Sequence, residues 1–525
     1  MNDPDANVAG SRTRVADYAL LSDCQGAALV SREGSIDWAC LPRFDSPAVF
    51  AGLLGTGAGH WRVGPRDPVA VERAYLPDTM VLRTTVRSAG GVVTVTDAMA
   101  LGPHEHGHAI GTASPHVLAR RIDGIEGTVP VEFELSARPE YGLTAPLLVP
   151  DGSGFRTRGG PSSYVLSTGV PVQLDGSDCT ATVDVAAGDT LYFAFALGSP
   201  WDDDTTRQLT QSEIAELLDR TIAAWQSWSG LHQTYDGPYA QLVRHSGRVL
   251  QALSYAPTGA VIAAPTTSLP ETPGGPRNWD YRFCWVRDAS LTLEALWVAA
   301  CPDEAEKFFR FLATAAGGHL RSSGALQILY GVGGERLVAE HELEHLDGFL
   351  DSRPVRIGNG AWNQAQLDVY GELLSAACLL ATTVGSFDDI SRGGVRCAQV
   401  DVPRATYCPN PRNADGTPAF GVVGSEEPLP KERLHAWYKD HSDYVHRFNR
   451  SLDELIAAGW LLPLRCMIRA FDFRRSSRLS AKAVGRLRSS PRHRSAVVEG
   501  ADQPVVVRHT CLTAPVHCAS WTERP

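Results

Sequence analysis

The chain has 525 residues, a formal net charge of −11 and 43% hydrophobic residues, so it is too long for one ordinary domain and can bury large cores. The acidic balance argues against nucleic acid and anionic membranes as partners, because both require a basic face. The sequence shows no secretory signal, no apolar run long enough to span a membrane, and eleven scattered cysteines without a CxxC pair, so we expect a cytoplasmic protein.

The first predicted elements are β-strands. We expect residues 1–13 to be disordered. Between residues 14 and 204, short alternating or apolar stretches such as "GVVTVTDAMA", "VPVEFELSARP" and "TLYFAFALG" are separated by clusters of Gly, Pro, Asp and Ser. This spacing predicts an antiparallel β-sandwich domain.

Helices are predicted to follow the strands. In residues 205–234 the stretch "SEIAELLDRTIAAWQSWSGL" has apolar residues at helical spacing, and Ser212 with Glu216 predicts its start. We interpret it as a linker helix. Residues 235–384 hold four further stretches of this kind, from "YAQLVRHSGRVLQALSY" to "QAQLDVYGELLSAACLLA". These stretches predict a second domain of packed helix pairs.

The character of the sequence changes after residue 385. In residues 385–464 the helical period is sustained no further than "YVHRFNRSLDELIAAGWLLP", and we interpret this part as a foreign or divergent segment. Residues 465–525 are rich in arginine and serine. A basic tail of this kind is typical of a disordered segment or of a nucleic-acid-binding arm, and we expect disorder.

The stretch "RNWDYRFCWVRDASLTLEAL" places aromatic and charged residues directly before an apolar helix. Asp288 stands at the expected N-cap, and capping is a common role for aspartate there. The neighbouring residues favour a second role, because a sugar ring needs a flat apolar surface and charged hydrogen-bonding groups. The aromatic and charged residues concerned are Trp279, Tyr281, Arg282, Trp285, Arg287 and Asp288.

This stretch resembles the aromatic–Arg–Asp motif of glycoside hydrolase family 15, which contains glucoamylases and bacterial trehalases. Two further blocks resemble the same family in the same order, "VADYALLSDCQGAALVSREGSIDWACLPRFDSPAVFAGLLG" and "ELEHLDGFLDSRPVRIGNGAWNQAQLDVYGELL". The resemblance covers residues 14 to about 381. It implies a β + α multidomain fold, with an N-terminal antiparallel β-sandwich followed by an (α/α)6-type helical barrel in residues 235–384. Because the resemblance stops there, we expect the barrel to be incomplete.

The resemblance also implies a substrate site that needs no cofactor and no metal. Arg287 and Asp288 would hold hydroxyl groups of the non-reducing glucose, and Trp285 would line the same subsite. Two arginines of "SRPVR" would lie on a neighbouring loop, which we expect to approach Trp285 and Asp288. The predicted substrate-binding residues are Trp279, Trp285, Arg287, Asp288, Arg353 and Arg356.

One motif points to a different enzyme class. The stretch "HELEHLDGFLD" fits a zinc-protease pattern, with His341 and His345 as ligands, Glu342 as general base and Asp351 in the third ligand position. That chemistry requires the two histidines to lie on one face of a helix. Gly348 follows too soon for a long helix, so a loop of the family 15 type is the favoured interpretation and zinc the distant alternative.

The two catalytic glutamates of family 15 cannot be assigned in this sequence. The resemblance places the acid in a Trp-Glu context, but the sequence contains no Trp-Glu dipeptide. Glu426 and Glu427 lie in "GSEEPLP", which predicts a solvated loop. From about residue 385 to 464 the chain instead weakly resembles the C-terminal end of α/β-hydrolase-domain proteins.

The predicted function is therefore that of a family 15 homologue acting on α-glucosidic bonds, of the trehalase or glucoamylase type. The family inverts the anomeric centre with a pair of carboxyl groups. The expected substrate is trehalose, maltose or a malto-oligosaccharide. Without the two glutamates the chain is expected to be catalytically impaired, and a non-catalytic carbohydrate-binding protein is the alternative.

Overall fold

The fold comes from a computed structural model. It describes residues 13–201, 206–231, 235–299, 301–323, 326–364, 366, 368–373, 375–376, 405–408, 425–428 and 431–457. The chain divides into two units, Met1–Ala315 with Leu329–Gln364, and Ala316–Ile328 with Ala365–Pro525. Within these described ranges, no helix is both long and apolar enough to cross a membrane.

The first unit begins with an antiparallel β domain. Its described residues form fifteen strands between Ala19 and Gly198. The strands are β1 (Ala19–Ser22), β2 (Ala27–Val30), β3 (Ser35–Cys40), β4 (Ala48–Phe50), β5 (His60–Pro65), β6 (Ala70–Tyr75), β7 (Leu82–Ser88), β8 (Gly91–Met99), β9 (Val117–Ser136), β10 (Leu147–Asp151), β11 (Gly154–Arg158), β12 (Ser163–Thr168), β13 (Gln173–Asp175), β14 (Asp178–Ala186) and β15 (Thr190–Gly198).

The long strand β9 connects the two layers of this domain. Its first half, from Val117, pairs with β8 and β15, whereas its second half, up to Ser136, pairs with β5 and β14. The layer around the second half also contains β1 to β4 and β13. The layer around the first half also contains β6, β7 and β10 to β12. All of these strand pairs are antiparallel.

Apolar side chains from both layers meet in one core. The ring centroids of Trp61 in β5 and Phe195 in β15 lie 6.0 Å apart, and those of Phe133 in β9 and Phe193 in β15 lie 5.3 Å apart. All four rings are buried. Because alternate residues of a strand face opposite sides, the period-2 sequence pattern places one apolar row of each strand in this core. The predicted antiparallel β domain is confirmed.

Helix α1 (Gln211–Leu231) begins at a capping box. The Thr210 hydroxyl accepts a hydrogen bond from the Glu213 backbone N–H at 3.3 Å, and Glu213 Oε2 accepts one from the Thr210 N–H at 2.8 Å. Each side chain thereby satisfies a backbone donor that the first turn leaves unpaired. The predicted start at Ser212 and Glu216 is wrong, because the reciprocal pair lies two to three residues earlier in the sequence.

Helices and short antiparallel strand pairs follow, all in the first unit except residues 316–323. The helices are α2 (Ala240–Ala252), α3 (Ala289–Val298) and α4 (Pro302–Ser323). The strand pairs are β16 (Ser254–Tyr255) with β17 (Ala260–Val261), β18 (Thr267–Pro270) with β19 (Asn278–Asp280), β20 (Cys284–Trp285) with β21 (Leu329–Tyr330), and β22 (His341–Glu342) with β23 (Arg356–Ile357). The predicted order, a β domain and then a helical region, is confirmed. The barrel and the domain boundaries stay predictions.

The second unit contains a further set of elements. Strand β24 (Ala405–Cys408) pairs with β25 (Ser425–Pro428), and the helices α5 (Lys431–Trp437) and α6 (His441–Ala457) follow. Glu426 and Glu427 therefore lie in a strand and not in the predicted loop. Residues 1–12 and 465–525, which cover all but one residue of the segments predicted to be disordered, lie outside the described residues.

Candidate functional site

The segment that contains β19 has polar side chains on its inner face and aromatic side chains on its outer face. Asn278, Asp280 and Arg282 are buried, whereas the alternating residues Trp279 and Tyr281 are only half-buried. Successive side chains of an extended segment point to opposite faces. The segment "NWDYR" is therefore extended, with polar side chains on its buried face and aromatic side chains on its more exposed face.

A bidentate ion pair occupies the inner face. Arg282 Nε and Nη2 donate to the two carboxylate oxygens of Asp280 at 2.9 and 2.7 Å, and Arg282 Nη1 donates to the Ser46 carbonyl at 2.9 Å. The Arg282 guanidinium also lies 5.5 Å from the ring centroid of Tyr141 and 5.9 Å from that of Trp38. These partners attach the segment to the β domain.

The segment around β23 is attached to the same inner face. The Gly358 backbone N–H donates to Asp280 Oδ2 at 3.1 Å, and Asn359 Nδ2 donates to the Asp280 carbonyl at 3.0 Å. Asn278 Nδ2 donates to the Ser352 carbonyl at 3.1 Å. Hydrogen bonds to the buried residues Asn278 and Asp280 therefore hold residues 352–359 against this segment.

On the outer face, four residues gather at the start of α3. The ring centroids of Tyr281 and Trp285 lie 6.0 Å apart, and the Arg287 guanidinium lies 5.4 Å from the Trp285 ring centroid. Arg287 Nε lies 3.8 Å from Asp288 Oδ1, and both side chains are nearly half exposed. The sequence predicted that Trp285, Arg287 and Asp288 lie together, and the structure brings them together.

Two polar groups of this cluster lack full pairing. Trp285 is 9% exposed, and its indole N–H has no hydrogen-bond partner among the described residues. Asp288 occupies the N-cap position, because its carbonyl accepts the Thr292 N–H at 3.0 Å. Within the described part of the chain, however, its carboxylate forms no capping hydrogen bond, contrary to the capping prediction. The Asp288 carboxylate is thus available to a ligand, whereas the Trp285 indole nitrogen is buried.

The environment of Asp288 favours its neutral form. Burial raises the pKa of its carboxyl group, and the positive charge of Arg287 offsets part of that effect. Hydrogen-bond donors of a ligand would stabilise the ionised carboxylate, which burial disfavours.

A second aromatic–cation contact involves Trp279 and Arg356. The Arg356 guanidinium lies 4.6 Å from the Trp279 ring centroid, and Arg356 Nη1 donates to the Pro276 carbonyl at 2.9 Å. Arg356 Nε lies 3.2 Å from Glu340 Oε1. Arg356 thus approaches the aromatic segment from β23, and it covers Trp279, whereas the loop was predicted to approach Trp285 and Asp288.

Arg353 lies apart from these contacts. Its guanidinium pairs with the Asp347 carboxylate, and both side chains are more than half exposed. Among the described residues, no hydrogen bond, ion pair or cation–π contact joins Arg353 to Trp285 or Asp288. Its predicted role at the substrate site stays a prediction.

The histidines of the zinc-protease pattern do not share a helix. His341 belongs to strand β22, and His345 lies in the following turn, where its Nε2 contacts the Tyr141 carbonyl at 2.9 Å. Without a helix, the spacing of four residues does not bring the two imidazoles to one face. In the part of the chain that the structure describes, no group of three or more potential metal ligands occurs.

Sequence reasoning missed the buried row of Asn278, Asp280 and Arg282 as a set. Arg282 was grouped with the residues offered to a sugar, although its side chain is fully buried. The strict alternation of polar and aromatic residues in "NWDYR" was the available signal.

Comparisons with known proteins agree with the predicted resemblance. Residues 237–402 match the family model "Glycosyl hydrolases family 15", and residues 7–219 match "Trehalase-like, N-terminal". Residues 376–466 match "Alpha/beta hydrolase domain". The predicted resemblance to family 15 is confirmed. The predicted resemblance of the C-terminal part to α/β-hydrolase-domain proteins is confirmed as well.

Similar curated proteins include two trehalases. The chain is 38% identical to a trehalase of Mycolicibacterium smegmatis over 390 residues and 36% identical to one of Mycobacterium tuberculosis over 392 residues. Each alignment covers 70% of this chain, and the chain spans 57% and 56% of the length of these relatives. Among solved structures, a bacterial glucoamylase complexed with acarbose matches 73% of this chain and 58% of its own, with 12% identity and a TM-score of 0.45.

Proposed function

We propose that this chain is a glycosidase homologue that binds α-glucosides, with trehalose as the first candidate, at the cluster of Tyr281, Trp285, Arg287 and Asp288. The cluster at the start of α3 carries the proposal, because it combines an aromatic surface with accessible charged groups. The similarity to trehalases supports trehalose over other α-glucosides. The helical region would form part of an (α/α)6 barrel.

The chemistry of the cluster suits an uncharged sugar. A pyranose ring presents C–H groups that pack on the faces of Trp285 and Tyr281. Its hydroxyl groups can donate to the Asp288 carboxylate and accept from the Arg287 guanidinium, and such charge-assisted hydrogen bonds are stronger than neutral ones. In this proposal Arg353 and Arg356 contact a neighbouring ring.

Hydrolysis requires two carboxyl groups that cannot be assigned in this sequence. Inversion needs an acid and a base whose carboxyl groups lie about 6.5–9.5 Å apart, and the sequence holds no Trp-Glu dipeptide that could be matched to the family acid. We therefore propose binding with impaired turnover. The same observation favours the second candidate, a non-catalytic carbohydrate-binding protein.

Calorimetric titration of the purified full chain with trehalose, maltose and glucose tests this function. We expect a dissociation constant of about 1 mM or tighter for at least one of the disaccharides. Asp288→Ala and Trp285→Ala should each weaken binding at least about tenfold, because each removes a principal contact. Arg310→Ala is the control, since Arg310 is exposed and its one ion pair among the described residues is with Glu306 one helical turn away. Absence of binding by the unmodified chain would refute the proposal.

A further inference from the structure

The buried ion pair of Asp280 and Arg282 connects its own segment to two other parts of the first unit. Through Arg282 it reaches the Ser46 carbonyl and the rings of Trp38 and Tyr141 in the β domain. Through Asp280 it reaches Gly358 and Asn359, which follow β23. The pair itself belongs to the segment that presents the outer aromatic side chains.

This ion pair is not explained by stability alone. Both side chains are almost fully buried, at 2% and 0% exposure, and removing two charges from water costs free energy that their attraction often only just recovers. Apolar residues of similar volume could fill the same space at no loss of stability. What the pair adds is a fixed geometry, because the planar guanidinium fork matches the carboxylate in one orientation.

The geometry of Asp280 is transmitted to its neighbours along the backbone. Trp279 and Tyr281 flank it directly, and side chains of an extended segment alternate between faces. With both carboxylate oxygens and the carbonyl of Asp280 engaged on the inner face, the Trp279 and Tyr281 side chains are held on the outer face. Tyr281 in turn contacts Trp285, and Arg356, two residues before Gly358, covers Trp279.

We propose that Asp280 and Arg282 are positioning residues, through which the β domain sets the arrangement of the aromatic sugar-binding surface. This inference rests on the proposed function, since it assigns the pair to the same site. The pair touches no sugar in this scheme. It acts by fixing where Trp279 and Tyr281 lie relative to Arg356 and Trp285.

The chain contains a matched control for this proposal. Arg120 and Asp97 form a second fully buried bidentate pair, with Nε–Oδ1 at 2.8 Å and Nη2–Oδ2 at 3.2 Å. Arg120 also lies 5.1 Å from the Trp61 ring centroid and donates to two backbone carbonyls. It therefore shares the burial, the ion pair and the aromatic contact of Arg282, but it lies inside the β domain and not behind the aromatic segment.

The test compares Arg282→Lys with Arg120→Lys in the full chain. Lysine keeps the charge but loses the bidentate fork, so both variants should show a lower thermal unfolding midpoint. Trehalose and maltose affinities are measured by tryptophan fluorescence titration well below that midpoint. We expect Arg282→Lys to weaken binding at least about tenfold and Arg120→Lys to stay within about twofold of the unmodified chain.

The outcomes separate this inference from the proposed function. Unchanged affinity in Arg282→Lys, or an equal loss in Arg120→Lys, overturns the positioning role while the proposed function stands. Absence of binding by the unmodified chain overturns the proposed function and this inference with it. If Arg282→Lys does not fold, Asn359→Ala removes the hydrogen bond to the Asp280 carbonyl and should weaken binding about threefold or more, whereas unchanged affinity there overturns the positioning role.

Discussion

Asp288 combines a raised pKa with an accessible carboxylate. Burial favours its neutral form, and Arg287 offsets this only in part. The ionised form accepts more hydrogen bonds from sugar hydroxyls than the neutral acid does. We therefore expect sugar affinity to be highest at neutral pH. It should fall as the pH is lowered through the raised pKa of Asp288. Calorimetric titration with trehalose from about pH 7 to about pH 4 measures this.

Asp288→Asn is the control for this pH dependence. It should bind more weakly than the unmodified chain and lose the pH dependence over the same interval. Because the folded-state pKa of Asp288 lies above the unfolded one, its ionisation lowers the free energy of unfolding as the pH rises through these values. At neutral pH the thermal midpoint of the variant should thus be equal or higher. A flat affinity profile for the unmodified chain would contradict the assigned role.

Two adjacent arginines of β9 allow a stability prediction. Arg120 is buried against Asp97, whereas Arg121 pairs with Asp123 where both side chains are about one-fifth exposed. Arg120→Ala leaves a buried carboxylate unpaired and should lower the free energy of unfolding by about 3–5 kcal/mol. Arg121→Ala should lower it by less than about 1 kcal/mol. Urea unfolding followed by intrinsic fluorescence measures both, and equal losses would contradict the different burial of the two pairs.

Individual side chains were predictable from the sequence only where their partners are local. The contact of Trp285, Arg287 and Asp288 lies within four residues of sequence, and it was predicted. The partners of Arg282 lie more than 140 residues away, at Ser46, Trp38 and Tyr141. The alternation in "NWDYR" could have indicated that Arg282 faces inward, but no local pattern specifies its distant partners.

The segment from His341 to Asp351 shows how a motif depends on the element that carries it. Its histidines lie on a strand and in a turn, and His345 already contacts the Tyr141 carbonyl. We expect the purified and dialysed chain to contain far less than one zinc per molecule by elemental analysis. His341→Ala should leave that content unchanged. Stoichiometric zinc that is lost in His341→Ala would support the protease alternative after all.

Periodic patterns of apolar residues predicted strands and helices more reliably than the short motif predicted a metal site. Period-2 stretches predicted the antiparallel strands, and helical spacing predicted α1 to α4. The two-residue strand pairs, such as β20 with β21, were not predicted. Two residues are too few to show a period, and β20 with β21 in addition joins residues more than 40 positions apart, Cys284 with Tyr330 for example.

Taken as a whole, the chain should bind sugar without efficient cleavage. A positioned acid and a positioned base each contribute about 10²–10⁴-fold to such a reaction, and neither can be assigned here. We expect glucose release from trehalose and maltose well below about 1 s⁻¹. A sensitive glucose assay on the purified chain measures it, with a characterised trehalase as the positive control. Turnover of about 1 s⁻¹ or faster would show that other carboxylates perform these steps.

Strand β9 has a consequence for the order in which the protein can be assembled during synthesis. Apart from the pairing of β5 and β8 with β9, strands β1 to β5 and strands β6 to β8 pair within their own sets. Before β9 is made, each set therefore ends in an unpaired edge, β5 in one and β8 in the other. Exposed edges of this kind invite pairing with other chains. A single stretch of 20 residues, Val117–Ser136, then covers both edges at once. A ribosome that stalls before residue 117 would therefore release a chain with two open sheets.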